Sequence, residues 1–75
     1  MRKLALTERE VEVLHLLPTS LTLLQIAAKL FVSRKTIQNN ASSLYRKLGA
    51  HGRAQAVARA IELGLITPVS ESGRT

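Results

Sequence analysis

Seventy-five residues, 45% of them hydrophobic, can enclose one small core, and two independent domains are out of reach. Cysteine is absent, which excludes disulfides and thiolate chemistry, and the chain has no apolar run long enough for a membrane span or a signal peptide. The formal charge is +6, and all five acids lie near the ends (Glu8, Glu10, Glu12, Glu62, Glu71), so Val13 to Ile61 carries cations only and should attract a polyanion.

"LTEREV" opens the first predicted helix: Thr7 as N-cap, Glu10 completing a capping box, and Leu6 placed to staple against Val11. Val11, Val13, Leu14 and Leu17 form its expected buried arc, leaving Glu8, Glu12 and His15 outside. Pro18 ends it, since the residue before a proline is pushed out of helical geometry. A second capping box, Thr22 with Gln25, starts a helix over about Leu23 to Leu30. Leu23, Ile26, Ala27 and Leu30 face inward, and Leu24 is left exposed.

Ser33 caps a third helix reaching Leu48, with Gly49 placed for a left-handed C-cap. Ile37, Ala41, Leu44 and Leu48 recur at helical spacing and make the buried seam. The opposite side holds Lys35, Asn39 and Arg46, flanked by Gln38, Ser42 and Ser43, without one carboxylate. The Ala-rich stretch from Arg53 to Leu63 predicts a fourth helix ended by Gly64. Val57, Ala60, Ile61 and Gly64 are expected inward; Gln55, Ala58, Arg59 and Glu62 outward. No strand pattern competes, so the expected fold is all-α: a four-helix bundle over residues 1–66 containing a helix-turn-helix without a wing. The polar remainder, 67–75, is expected to be disordered.

A surface that reads double-stranded DNA needs groups able to donate to and accept from base edges, with no carboxylates where phosphates crowd. Asn and Gln can pair with adenine and Lys with guanine, which nominates Lys35, Gln38, Asn39, Ser42 and Ser43 for base contact. Arg34, Arg46 and Lys47 are long enough to reach phosphates, with Thr36 on the flank. Catalysis has little support: His15 and His51 lie on different segments with no partner at triad or metal-ligand spacing, so no catalytic residue, metal or cofactor is expected.

Taken together and in order, "LTEREVEVL", "QIAAKLFVSRKTI", "SLYRKLGA" and "RAQAVARAIELGLI" resemble the LuxR/FixJ/GerE-type DNA-binding domain over about Leu6 to Ile66. The resemblance implies a bacterial transcription regulator domain whose third helix reads DNA and whose fourth supplies a weak dimer contact, here through Gln55, Ala58, Arg59 and Glu62. By position it places base contacts on Gln38, Asn39 and Ser42, and phosphate contacts near Thr22, Gln25, Thr36 and Lys47. The chain departs from the family's usual Glu at Gln25, Gly at Ser20, His at Asn40 and polar residue at Leu24. The expected setting is cytoplasmic, with RNA polymerase a further candidate partner and no membrane. Such domains usually end larger regulators, though stand-alone examples exist. A sigma-factor region 4 shares the opening but normally lacks the fourth helix. A basic module that binds an acidic protein without reading DNA is the alternative from another class, and salt-dependent, sequence-selective duplex binding would separate it.

Overall fold

The computed structural model describes residues 5–67. Those residues form four helices and no strand: α1 (Glu8–Leu16), α2 (Leu23–Leu30), α3 (Arg34–Leu48) and α4 (Arg53–Glu62). The tail beyond Thr67, expected to be disordered, lies outside the described residues.

Each start has a visible cause. The Thr7 and Thr22 hydroxyls accept from the backbone N–H groups of Glu10 and Gln25, whose side chains return the bond to the cap backbone, and the Ser33 hydroxyl accepts from Thr36 N–H. Gly52, the α4 cap, has no side chain to offer; Gln55 Oε1 instead accepts from His51 N–H at 2.7 Å. Leu17 does not leave the helical region ahead of Pro18, as the sequence rule anticipated; it stays right-handed at φ −63°, ψ −36°. What stops α1 is that Pro18 has no N–H with which to continue the ladder. Two carbonyls around that end are held from far along the chain: Arg53 donates to Leu17 O and Thr19 O, each at 3.0 Å.

The longest helix, α3, is the hub and packs on all three others. Its seam of Ile37, Ala41, Leu44 and Leu48 is buried as expected, with Ile37, Leu44 and Leu48 in one cluster with Val13, Leu14, Leu17, Ile26, Ala27, Ala56 and Ala60. Each fully buried Leu or Ile contributes about 1.5–3 kcal/mol before the entropy of ordering it.

Two inward faces differ from expectation. On α1, Val11 is 36% exposed and Glu10 takes an inward place at 3%. A carboxylate can replace a valine there only because it is fully partnered, as described below. On α4, Ala60 is completely buried as expected, but so is Ala56, while Val57 and Ile61 are half-buried and Gly64 is exposed. The helix is therefore turned from the expected orientation so that its small side chains touch the hub, which permits close approach of the backbones. Leu24 is 51% exposed, as its wheel position required.

Candidate nucleic-acid interface

The hub's seam fixes what its opposite side presents. Arg34, Lys35, Thr36, Gln38, Asn39, Ser42 and Arg46 are all exposed along α3. Among the described residues, the side chains of Lys35, Gln38, Asn39, Ser42 and Arg46 have no hydrogen-bond partner, so their donors and acceptors stand toward solvent. Thr36 is engaged locally, its hydroxyl accepting from Ser33 Oγ at 2.9 Å. Across the turn, Thr22 and Gln25 sit exposed at the N-terminus of α2 but are joined in their capping box at 2.8 and 3.1 Å.

Ser43 and Lys47 lie elsewhere. They occupy the flank of α3 that meets α1, where Ser43 Oγ donates to Glu10 Oε2 at 2.7 Å and Lys47 Nζ donates to Glu10 Oε1 at 2.8 Å and to Ala5 O at 2.7 Å. Thr7 N–H adds a bond to Glu10 Oε1 at 3.0 Å. Burial opposes the charge on Glu10, yet the bonds from Lys47, Thr7 N–H and Ser43, with the Lys47 ammonium, outweigh it and hold the carboxyl below its ordinary range. These two residues therefore orient α3 against α1. Sequence reasoning gave Glu10 a capping role only. The missed signal was its place on the same wheel face as Val13, Leu14 and Leu17, opposite two donors four residues apart on α3.

Asn40, on the same flank, buries its Nδ2 without a hydrogen-bond partner. On α4 the expected dimer residues Gln55, Ala58, Arg59 and Glu62 are exposed together, and Arg59 and Glu62, of opposite charge and so able to pair across a two-fold axis, are already joined within the chain. Arg59 binds its own Glu62 at 2.9 Å, and its Nε donates to Leu48 O at 3.1 Å, closing the C-terminal end of α3. The i,i+3 spacing makes the intrachain pair the nearer choice. Among the described residues no group of acids, histidines or cysteines could hold a metal ion, and no helix is long and apolar enough to cross a membrane.

Residues 4–60 match the family described as bacterial regulatory proteins, luxR family. The chain is 46% identical over 59 residues to spore germination protein GerE of Bacillus subtilis, covering 79% of this chain and 80% of that protein. It is 45% identical over 58 residues to the DNA-binding transcriptional activator DevR/DosR of Mycobacterium tuberculosis, covering 77% of this chain but 27% of that one. The response regulator ChrA of a heme-sensing two-component system superposes with a TM-score of 0.80 at 38% identity, over 88% of this chain and 33% of ChrA. The chain thus spans most of GerE and about a quarter to a third of the larger relatives. With a family model over most of its length and a relative matched over four-fifths of its own, the chain belongs to the luxR family of bacterial regulatory proteins, and its four helices form the helix-turn-helix DNA-binding domain of those regulators.

Proposed function

We propose that the domain binds operator DNA sequence-specifically by laying the exposed face of α3 in the major groove. The observation that carries this reading is that face itself: exposed, free of carboxylates, and bearing amides, a hydroxyl and cations with no partner among the described residues. Gln38, Asn39 and Ser42 are the base readers, with Lys35 at the N-terminal end able to reach a guanine edge. Arg34 and Arg46 serve phosphates at the rim, joined by Thr22, Gln25 and Thr36 through whatever bonding capacity their caps leave. Ser43 is left out of the reading set, because its hydroxyl is engaged by Glu10.

In vitro selection from a random duplex library tests the reading. The native chain should enrich one site, and Asn39→Ala or Gln38→Ala should cost about 1–3 kcal/mol on that site while relaxing preference at one base pair. Coincident selection profiles for Asn39→Ala and the native chain would remove Asn39 from the reading set.

The outer face of α4 supports pairing of two domains on DNA. Ala58 is short and exposed, flanked by Gln55 and the neutralised Arg59–Glu62 pair, so a symmetry mate can come close without facing a bare charge. The face is too small for a stable interface, which makes the free domain monomeric and the pair dependent on half-sites about one helical turn apart. Ala58→Glu should abolish cooperative occupancy of a paired site and leave single half-site affinity nearly unchanged. Equal losses in the two titrations would confine α4 to a supporting role in the fold. As a regulator in the cytoplasm, the protein would act through RNA polymerase.

A further inference from the structure

We infer that the outer face of α2, with Phe31 at its end, is a docking surface for an acidic helix of a protein partner. Three residues in the described chain have a left-handed backbone: Gly49 (φ 70°), Gly64 (φ 74°) and Phe31 (φ 58°). Two of the three positions carry the residue that adopts this geometry without cost. At the third a bulky side chain is held in a region that disfavours it, and the residue is 95% exposed. Glycine would suit the backbone better and a polar residue would suit the solvent better, so neither local geometry nor burial accounts for phenylalanine.

The helix that Phe31 caps continues the apolar surface. Leu24 and Ala28, one turn apart on its outer side, are both exposed, Leu24 by 51%. None of the three side chains offers a hydrogen-bond donor, so the patch itself calls for an apolar partner surface. Its charge selects the partner's sign. Lys29 and Arg34, on either side of Phe31 in the chain, are exposed cations without a partner among the described residues, and no acid occurs anywhere in α2, the turn or α3. A second copy would bring like charge against like charge. An amphipathic helix with leucine anchors and glutamate flanks complements both the apolar face and its cations. The test below is read without DNA, so its outcome is separate from the operator reading, which gives Arg34 to a phosphate.

The probe is a synthetic peptide of about five helical turns with leucines at helical spacing and glutamates beside them, titrated into the isotope-labelled chain and followed by backbone amide shifts. The expected result is movement of the Leu24, Ala28 and Phe31 resonances in the chain free of DNA. Phe31→Gly should weaken peptide binding about tenfold or more while leaving thermal stability undiminished and duplex affinity unchanged, since glycine suits this backbone. Leu24→Gln is the second variant and should weaken the peptide in the same sense. Undiminished binding by Phe31→Gly, or by a peptide with serines for its leucines, would overturn the inference. Equal binding by a lysine-flanked peptide would overturn the acidic assignment. Shifts confined to the exposed face of α3 and erased by duplex would mean that the peptide acts only as a polyanion, and would overturn it as well.

Discussion

Raising salt from about 50 to about 200 mM is expected to weaken binding of one domain to a single half-site about 150-fold, because each neutralised phosphate releases a counterion. The magnitude follows from which cations are at liberty. Arg9 is paired with Glu12, Lys47 with Glu10 and Arg59 with Glu62, while Arg53 is held on the carbonyls of Leu17 and Thr19. Among the described residues that leaves Lys29, Arg34, Lys35 and Arg46, all exposed and all between the start of α2 and the end of α3. Four cations brought against the duplex, whether on a phosphate or at a base edge, correspond to a slope of log affinity against log salt of about −3.6. Filter binding across a salt series measures it directly. A slope near zero would refute the nucleic-acid reading, and one much steeper would place further cations on the duplex.

Lys47→Ala is expected to destabilise the fold by about 2–3 kcal/mol, somewhat less than the cost of breaking a fully buried ion pair because the Lys47 side chain keeps 30% of its exposure. The cost arises at Glu10, 3% exposed, which would be left charged and short of its strongest partner. For a domain of this size the melting temperature should fall by about 10–20 °C. Sequence reasoning alone has this substitution weaken every DNA sequence equally through one lost phosphate contact. The structure adds a route through the fold, and thermal melting without DNA isolates it. Combining Lys47→Met with Glu10→Gln should recover much of the loss, because no charge then remains in the interior. The same pair sets an acid limit. A carboxyl whose folded value is depressed stabilises above its unfolded value, so this contribution is intact at neutral pH and is lost as pH falls through the folded value. Acid melting of Glu10→Gln should be correspondingly flatter; a curve parallel to the native one would remove Glu10 from this role.

The helices were legible in the sequence because their signals are local. Capping boxes at Thr7 and Thr22, the serine cap at 33 and the glycine at 49 each act within a turn of the backbone they terminate. The exposed side of α3 was equally legible, since it is the complement of a regular apolar seam. What escaped was whatever depends on a second element. Glu10 reads as a capping residue until α3 brings Ser43 and Lys47 to it, and Arg53 reads as a solvent cation until it folds back on the end of α1. The orientation of α4 escaped in part for a related reason: in an Ala-rich helix the apolar pattern is nearly degenerate around the axis, and contact with α3 decides that Ala56 joins Ala60 inside while Gly64 does not. Phe31 carried no periodic signal, because its backbone belongs to no repeating element.

The partnerless side of α3 bears on how such a domain can change over generations. Residues that hold nothing else in the protein can be exchanged at a stability cost of about 0.5 kcal/mol or less. Lys35, Gln38, Asn39, Ser42 and Arg46 fall in that class, while Ser43 and Lys47, on the adjoining flank of the same helix, do not. One helix thus divides lengthwise into a strip free to vary, which on the proposed reading meets the operator, and a strip that anchors the scaffold. Duplicated copies can part company in the sequences they recognise while their folds stay interchangeable.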